Sequence, residues 1–511
     1  MDRYVSVEEM ITIEKASDAS GHTYPQMMAH AGKSLADVVL ETGRTSVLGL
    51  IGKGNNGGDA LVAMSHLLDA GWSASAYCTG DRRNDPLVAE FLQKGGSLFL
   101  FSDDSEDYSK LNELVSNTEV ILDGLLGTGI KLPLRPPVPG ILSVVKEGLK
   151  KAQIRPLLIA VDCPSGADCD TGEVPPECLT ADITVCMAAV KQGLLKLPAF
   201  MYLGELIVGG IGLPPDLPEW QTINRYVLDW DYVLHVLPLR PVSAHKGTFG
   251  TALIIAGSKY YAGAALLAGE AAFRSGTGWV KMAVPSFLHP HLVGHFKEAT
   301  WLPLPAGEMG FTKADVEALR YGMDKETAIL LGPGLGQYQE VEEFVRAFVQ
   351  PDLPPMVVDA DGLKLLSNAE GWWRRLPAGS ILTPHPGEMS IITGLSVSEI
   401  QADRVACAEN FANKWGCVIV LKGAFTVVAE PKGRTAILPV ATPSLARAGT
   451  GDVLAGMIAG LRAQGMESFD AAAAGVWLHA QAGLRAANLQ GSTAGVLAGD
   501  LLKALPSVMP Y

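Results

Sequence analysis

Three segments in the first half of the chain carry polar side chains directly after short apolar runs. A glycine-rich segment at 52–59 contains two asparagines and follows the run 46–51. Asp123 and Asp162 each end a further apolar run. Because an open parallel sheet binds ligands at the carboxyl ends of its strands, we expect Asn56, Asp123 and Asp162 to face one crevice. Oxygen ligands of this kind suit an alkali cation, and a carboxylate in a closed crevice transfers protons.

The glycine-rich segment has two other interpretations. Gly52, Gly54 and Gly57 match the G-x-G-x-x-G spacing of hydride-transferring dinucleotide enzymes. A purely structural glycine turn is the third interpretation, just as an aspartate at a strand end can simply cap a turn. The asparagines favour side-chain ligation, because a pyrophosphate turn needs only backbone N–H groups. The segment taken alone leaves all three interpretations open.

In the second half, a run of small residues at 448–451 leads into Asp452 and an apolar helix pattern. Glycines here let the backbone N–H groups of 449–452 form an anion-binding nest at the start of a helix. Asp452 at the mouth of that nest would take a proton from a hydroxyl group while the nest holds a phosphate. An aspartate in this position is also a common helix N-cap, and the two roles are compatible.

Four further segments of the second half end strand patterns. They contain the glycines at 332–336, Asp359, His385 and Lys422. A lone histidine is usually structural or on the surface, and a lone lysine is usually solvated. Placed at successive strand ends, these residues become candidates for one site.

Strand and helix patterns alternate through both halves, which predicts an α/β fold with helices on both faces of parallel sheets. Proline-rich segments at 213–218 and 237–241 interrupt the alternation. We therefore predict two domains, 1–215 and 225–511. The predicted strands are 46–51, 73–78, 119–122, 157–161, 183–187, 251–256, 278–283, 327–331, 356–358, 380–383 and 418–422, and the predicted helices include 59–70, 85–94, 263–275 and 452–463.

The composition limits the function classes. The chain has 511 residues and a formal net charge of -14, which argues against nucleic-acid or anionic-membrane partners because both bind basic patches. Small phosphorylated ligands stay compatible, since helix N-termini bind them without net positive charge. Seven scattered cysteines without a C-x-x-C pair, and no secretory signal pattern, predict a cytoplasmic protein with reduced thiols.

In their order along the chain, the segments 55–59, 122–129 and 162–166 resemble the NAD(P)H-hydrate epimerase domain over roughly residues 1–215. The resemblance implies a Rossmann-like three-layer αβα sandwich that binds a potassium ion and NADHX or NADPHX, the hydrated nicotinamide nucleotides. It implies Asn56, Asp123 and Ser165 as potassium ligands, and places Asp162, our candidate acid–base residue, at the hydrated ring. The nucleotide contacts it implies are Asn55, Asn56, Gly57, Gly58, Asp59, Gly127, Thr128, Gly129, Ile130, Lys131, Leu132 and Pro133.

The second half, including 245–250 and the helix pattern 263–278, resembles the ribokinase-like fold and, more closely, the ADP-dependent NAD(P)H-hydrate dehydratase over roughly residues 225–511. This implies a second αβα domain with Asp452 as the base. Ribokinase-like kinases often carry Asn-x-x-Glu, whereas His385 and Glu388 stand at that spacing here, which favours the dehydratase. The substrate contacts implied are Ala265, Gly334, Gly336, His385 and Asp452, and the adenine-nucleotide contacts are Lys422, Gly423, Ala424, Phe425, Thr426 and Gly451.

The two resemblances together imply a repair enzyme that epimerises the R and S forms of NAD(P)HX and dehydrates the S form at the expense of ADP, with ATP as the other candidate donor. They imply magnesium with the nucleotide, and we expect a homo-oligomer. An epimerase joined to a stereospecific dehydratase lets the whole damaged pool be repaired. Two alternatives stay open: a small-molecule kinase with an accessory nucleotide-binding domain, and a nucleotide-binding scaffold without chemistry in the first half.

Overall fold

The computed structural model describes residues 1–104 and 106–510, which divide into two compact units, one spanning Asp2–Arg225 and one beginning at Tyr226. The short strand Arg225–Val227 lies where the two units divide. Both units are built on mainly parallel sheets, so the predicted α/β class is confirmed.

The first unit contains the strands β1 (Asp2–Val5), β2 (Ser46–Ile51), β3 (Ser73–Cys78), β4 (Ser97–Leu100), β5 (Val120–Gly124), β6 (Leu157–Val161), β7 (Ile183–Met187), β8 (Val190–Lys191) and β9 (Glu205–Gly209). Seven of them form a parallel sheet in the order β4-β3-β2-β5-β6-β7-β9. The chain runs outward from β2 to β4 and then returns to the other side of β2, so the strand order reverses between β2 and β5. A reversal of this kind opens a crevice at the carboxyl edge of the sheet.

The helices of the first unit are α1 (Val7–Ala19), α2 (Tyr24–Glu41), α3 (Asn55–Asp69), α4 (Pro86–Gln93), α5 (Ser109–Ser116), α6 (Val138–Lys151) and α7 (Pro218–Gln221). Successive β2 residues enter two different cores: Val47 and Ile51 pack in one, and Leu48 and Leu50 in the other. Because side chains alternate across a strand, this division means that both faces of the sheet are covered. The unit is therefore the predicted three-layer αβα sandwich.

The second unit contains the strands β11 (Thr251–Ile255), β12 (Trp279–Pro285), β13 (Thr300–Leu304), β14 (Ala328–Leu331), β15 (Met356–Val358), β16 (Ile381–Leu382), β17 (Val418–Leu421), β18 (Val427–Ala429) and β19 (Thr435–Ile437), after β10 (Arg225–Val227) at the division. Their order is β13-β12-β11-β14-β15-β16-β17-β18-β19. The sheet is parallel from β13 to β17 and antiparallel beyond. Here the order reverses between β11 and β14, which places the ligand crevice at their carboxyl ends.

The helices of the second unit are α8 (Trp230–Val236), α9 (Ala262–Arg274), α10 (His289–Leu292), α11 (Asp315–Gly322), α12 (Gln339–Phe348), α13 (Asp361–Ser367), α14 (Pro386–Thr393), α15 (Val397–Ala402), α16 (Arg404–Trp415), α17 (Thr450–Ala463), α18 (Ser468–Gln490) and α19 (Ala498–Ala504). Leu253 and Ile255 of β11 lie in one core, and Ala252 and Ile254 lie in the other. The same strand alternation therefore makes a second three-layer sandwich. Of the helices in residues 1–104 and 106–510, none is long and apolar enough to cross a membrane.

The predicted strands match the structure to within two residues at each end, and the helix predicted over 85–94 is α4, which Asp85 caps through the N–H of Leu87 at 3.0 Å. The largest error concerns α3, which was predicted to begin at Asp59 and begins at Asn55. The glycines at 57 and 58 obscure the helix in the sequence, because glycine has low intrinsic helix propensity.

Candidate active sites

The glycine-rich segment of the first unit is the first turn of α3, and Gly54 is its N-cap. Gly52, Gly54, Gly57 and Gly58 all lie outside the left-handed region, so none of them is required for a positive φ. At most of these positions glycine is needed because a side chain would have no space. A Cβ on Gly52 would overlap the carbonyl oxygen of Leu125, and one on Gly57 would overlap the carbonyl oxygen of Gly52. The helix N-terminus thereby lies directly against the loop that follows β5.

Replacing Gly52 by alanine should therefore break this contact. A methyl group that meets backbone cannot be relieved by a rotamer change, so we expect the variant to lose about 3 kcal/mol of unfolding free energy, the upper end of overpacking costs. Urea denaturation measures the loss. Gly210→Ala is the matched control, because a Cβ there meets nothing within 4 Å. Equal stability of the two variants would contradict the packing assignment.

Asn56, Asp123 and Ser165 converge behind this helix start. Asn56 Nδ2 donates to the carbonyl oxygens of Leu126 and Val161, both at 2.8 Å. Asp123 accepts hydrogen bonds from the backbone N–H of Ser165 at 2.8 Å and from its hydroxyl at 2.5 Å. Burial raises the pKa of Asp123, and the Ser165 hydrogen bonds oppose that shift. The three predicted ligands thus share one buried, oxygen-rich region.

Asp162 lies immediately after β6 in the left-handed region, at φ 63°. Its backbone N–H donates to the carbonyl of Val185 at 2.8 Å, and its carboxylate accepts the N–H of Met187 at 2.9 Å. Unusual backbone conformations in non-glycine residues cluster at functional sites. Asn56 contacts the residue just before Asp162, so the structure brings Asn56, Asp123 and Asp162 to one edge of the sheet, as predicted.

Lys191, which the sequence did not single out, forms an ion pair with Asp162. It is 1% exposed and also donates to the carbonyl of Met187 at 2.8 Å. Burial, the largest single effect, lowers the pKa of Lys191, but the charge of Asp162, its hydrogen bond to Lys191 and the neighbouring cysteines together outweigh burial, so the net shift is upward. The signal that would have found Lys191 is a lysine directly after the apolar run 185–190, since lysine is rarely buried without a partner.

The segment predicted to line the nucleotide lies between β5 and α6, beside the same crevice. A Cβ on Gly127 would be 3.4 Å from Asn56, which places the start of the segment against α3. Asn55, Gly129, Lys131 and Pro133 are exposed. The half-buried or buried members of the predicted set are Asn56, Gly57, Gly58, Asp59, Gly127, Thr128, Ile130 and Leu132.

In the second unit, the crevice at the strand reversal is shaped by glycines. Gly334 adopts φ 62°, and its carbonyl accepts the hydroxyl of Ser258 at 2.8 Å. The N–H of Gly336 donates to Asp361 at 2.9 Å, which fixes the loop after β14 to the start of α13. A cavity of about 420 Å³ opens at this position, lined by Tyr261, Gly336, Gln337, Tyr338, Asp361 and Lys364.

A buried charge network lies at the neighbouring strand ends. The ammonium of Lys422 is 2.6 Å from a carboxylate oxygen of Asp359 and 3.7 Å from one of Glu388. Asp359 also accepts the hydroxyl of Thr383 at 2.7 Å. Burial lowers the pKa of Lys422, but Asp359 and Glu388 together raise it above its usual value. The lysine is therefore a fixed cation at the carboxyl edge of the sheet.

Asp452 lies in the first turn of α17, and the N-cap is Gly449 at φ 89°. The interpretation of Asp452 as an N-cap is therefore wrong, and its carboxyl group is not consumed by capping. A Cβ on Gly451 would be 3.5 Å from Lys422 Nζ, so the lysine reaches this helix start. Burial raises the pKa of Asp452 to about 7, Asp359 adds to the shift, and Lys422 opposes it. A carboxyl group with such a pKa is suited to acid–base catalysis near neutral pH.

His385 is the N-cap of α14, where its Nδ1 accepts the N–H groups of Gly387 at 3.0 Å and Glu388 at 3.2 Å. Burial lowers the pKa of His385, which favours the neutral ring. Because Nδ1 is an acceptor, the proton of the neutral ring lies on Nε2 and can be donated to a ligand. His385 therefore caps the helix through Nδ1, while the half-exposed side chain leaves Nε2 for a ligand.

The other residues predicted for this site differ in their accessibility. Ala265 has no exposed surface and lies in a hydrophobic core, so its side chain is packing. Thr426 folds back on the loop, donating to the carbonyl of Gly423 at 2.8 Å. Phe425 adopts the left-handed region at φ 54° and is 8% exposed. The loop 422–426 thus presents backbone, more than side chains, beside Lys422.

These two clusters place a carboxyl group at the carboxyl edge of each sheet, Asp162 in the first unit and Asp452 in the second, an arrangement typical of an α/β enzyme with two sites. Residues 252–507 match the family described as NAD(P)H-hydrate dehydratase, and residues 25–193 match the YjeF-related protein N-terminus. The chain is 35% identical to the bifunctional NAD(P)H-hydrate repair enzyme Nnr of Moorella thermoacetica, over 91% of this chain and 87% of that one. It belongs to the family of bifunctional NAD(P)H-hydrate repair enzymes.

A second full-length relative and one solved structure are also similar to this chain. The enzyme of the same name from Coxiella burnetii is 32% identical over 96% of both chains. Among solved structures, the ADP/ATP-dependent NAD(P)H-hydrate dehydratase of Bacillus subtilis, co-crystallised with ATP and Mg²⁺, is 34% identical with a TM-score of 0.49. It covers 56% of this chain and 98% of its own length.

Proposed function

We propose that residues 1–215 epimerise the R and S forms of NADHX and NADPHX, and that residues 225–511 dehydrate the S form to NAD(P)H at the expense of ADP. The observation that carries the proposal is the pair of carboxyl groups, Asp162 and Asp452, one at the carboxyl edge of each sheet. Each reaction changes the same hydroxyl-bearing ring carbon, and each needs a group that moves the hydroxyl proton. Two sites in one chain repair both epimers.

In the first unit, Asp162 is the acid–base residue at the hydrated ring. The nucleotide lies along the helix start 55–59 and the segment 127–133, where unpaired N–H groups of the first turn of α3 attract phosphate. The N-cap Gly54 supports this role, because it is exposed and a Cβ there would meet nothing within 4 Å, so the helix start is open to a ligand.

Potassium is the cation that we propose for the cluster of Asn56, Asp123 and Ser165. Asn56 is 8% exposed and donates through Nδ2, while its Oδ1 accepts no hydrogen bond from the residues that the structure describes. A buried oxygen without a donor beside an anionic carboxyl group fits a hard cation. Potassium would supply positive charge that orients the Asn56 amide and the loop after β5.

In the second unit, Asp452 removes the proton of the substrate hydroxyl, and the oxygen attacks the terminal phosphoryl group of ADP, releasing AMP. The phosphate ester then leaves as the lone pair of the ring nitrogen expels it, and loss of a ring proton restores the dihydronicotinamide. Residues 422–426 and Gly451 hold the nucleotide, and Gly334, Gly336 and His385 hold the hydrated ring. Magnesium bound with the nucleotide would neutralise phosphate charge.

This mechanism predicts an acid limb in the dehydration rate. The base form of Asp452 is its carboxylate, and the pKa of that group is raised to about 7. We expect kcat/KM for dehydration to rise with pH and level off above that value, so one unit below it the rate should fall about tenfold. Measuring kcat/KM with ADP across the range tests this; a rate that stays flat from about pH 5 upward would exclude Asp452 as the base.

The competing function is phosphorylation of a small alcohol. The experiment that separates the two incubates the protein with NADHX epimers and ADP, then with ATP, and compares NADH formed with nucleotide cleaved. Equal amounts of NADH and cleaved nucleotide are expected. Stable phosphorylation of a thiazole or pyrimidine alcohol, without NADH formation, would instead identify a kinase.

We also propose that the enzyme acts in the cytoplasm as a homo-oligomer. All seven cysteines are free thiols, which fits a reducing compartment. The net charge of -14 fits small-molecule substrates rather than nucleic acid or anionic membrane. Light scattering measures the assembly against the single-chain mass of 54.0 kDa.

A further inference from the structure

Four ionisable groups of the first unit come from different elements and interact near the end of β6. Asp59 lies on the same face of α3 as Asn56, which contacts the carbonyl of Val161, the residue before Asp162. Glu14 comes from α1, Asp59 from α3, Asp162 from the turn after β6, and Lys191 from β8. Glu14, Asp162 and Lys191 all act electrostatically on Asp59. Three carboxyl groups thus share one ammonium, and three negative charges in a largely buried space are costly. At least one of the three carboxyl groups therefore keeps its proton.

The contacts distinguish Asp162 from Asp59. Asp162 pairs with Lys191 and accepts the N–H of Met187, so its carboxyl group is held as an acceptor. Asp59 is 9% exposed, and within 1–104 and 106–510 only burial and neighbouring charges, with no hydrogen bond, act on its carboxyl group. Burial and the charges of Asp162 and Glu14 raise the pKa of Asp59 well above its usual value, against the opposing effect of Lys191. Asp59 thus holds its proton more tightly than an ordinary carboxyl group does.

We propose that Asp59 is the proton donor of the epimerisation, that Asp162 is its base, and that Lys191 is a positioning residue that holds the Asp162 carboxyl group in place. This rests on the epimerase function proposed above, in which Asp59 was only a nucleotide contact. Paired carboxyl groups in different protonation states divide acid and base roles in this way.

The proton transfers balance without any further reactant. Asp162 accepts the hydroxyl proton, the oxygen electrons form a carbonyl, and the bond between that carbon and the ring nitrogen breaks. The nitrogen keeps the electron pair and takes the proton of Asp59. After rotation, the nitrogen attacks the other face of the carbonyl, Asp59 recovers its proton, and Asp162 returns its proton to the oxygen. Both groups end as they began, as a catalytic cycle requires.

The decisive variant is Asp59→Asn in the full chain, assayed by the rate at which R and S epimers interconvert. We expect a loss of kcat of about 10²-fold, the lower range for one acid–base group. We also expect the wild-type rate to fall at high pH, where Asp59 loses its proton, and the variant to lack that alkaline limb. Asp69→Asn is the matched control on the same helix, because Asp69 is 55% exposed and pairs only with Lys94 at the surface.

Infrared difference spectroscopy provides a test that does not depend on rates. At neutral pH the folded wild type should show the C=O stretch of a protonated carboxyl group that is missing in Asp59→Asn. Lys191→Met should lower kcat of epimerisation while KM stays near the wild-type value, because Asp162 loses the ammonium that holds it, and Lys191→Arg should restore part of kcat. A merely structural lysine would show neither this separation of kcat from KM nor the rescue by arginine.

The outcomes separate this inference from the function on which it rests. A wild type that does not interconvert the epimers removes the proposed function itself. An active wild type whose Asp59→Asn variant keeps both the full rate and the alkaline limb overturns the proton-donor role alone. An Asp59 band absent from the folded wild-type spectrum overturns it as well.

Discussion

Asp452→Asn should lower the rate of dehydration by about 10²–10⁴-fold, the usual contribution of a positioned general base. An asparagine keeps the shape and the position in the first turn of α17 but cannot accept the hydroxyl proton. The anion-binding helix start and Lys422 are unchanged, so binding of ADP should persist. Epimerisation, which uses the other unit, should continue at the wild-type rate. Asp352→Asn, an exposed aspartate that pairs with Arg320 at 3.2 Å, is the matched control.

Stability shows whether such a loss has a structural origin. The pKa of Asp452 is raised from 3.8 to about 7, so the folded state prefers the neutral form. The corresponding stability is fully present below the unfolded value and is lost as pH rises through about 7. Asparagine stays neutral, so the variant should be at least as stable as the wild type above neutral pH, as thermal unfolding measures. A large stability loss there, or dehydration at an unchanged rate, would remove Asp452 from the mechanism.

Asp162→Asn should lower the epimerisation rate by about 10²–10⁴-fold for the same reason. Dehydration of the purified S epimer should be unaffected, which gives an internal control in the same preparation. This substitution should also lower the stability of the folded protein, because it leaves Lys191 buried beside a neutral amide. Removing one partner of a buried ion pair typically costs about 3–5 kcal/mol.

The double variant Asp162→Asn with Lys191→Met separates chemistry from folding. Methionine removes the unpaired buried charge and fills a similar volume, so the double variant should recover much of the lost stability. Its epimerase activity should stay low, since the base is still missing. Recovery of activity together with stability would show that Asp162 acts only through the fold.

The sequence predicted the edges of both sheets well, for a simple reason. Buried parallel strands such as β2 and β6 are continuous apolar runs, and a polar residue directly after them marks the strand end. Asp123, Asp162 and Asp359 could therefore be assigned to the carboxyl edge from the sequence. That edge and the strand reversal together determine where ligands bind.

The partners of those residues could not be predicted in the same way. Lys191 meets Asp162, and Asp359 meets Lys422, through strands that are distant along the chain. The close packing at Gly57 and Gly58 of α3 was likewise not visible in the sequence. Neither the ion pairs nor the close glycine contacts leave a pattern in the local sequence. Both depend on segments that only the fold brings together.

The most direct measurement follows NADH formation from an equal mixture of NADHX epimers with ADP. Wild-type protein should convert both epimers to NADH in a single enzyme-catalysed phase. Asp162→Asn should convert the S half quickly and the rest only at the spontaneous epimerisation rate, and Asp452→Asn should form almost no NADH while the epimers still interconvert. Complete, rapid conversion by Asp162→Asn, or by Asp452→Asn, would contradict two separate carboxyl-centred sites.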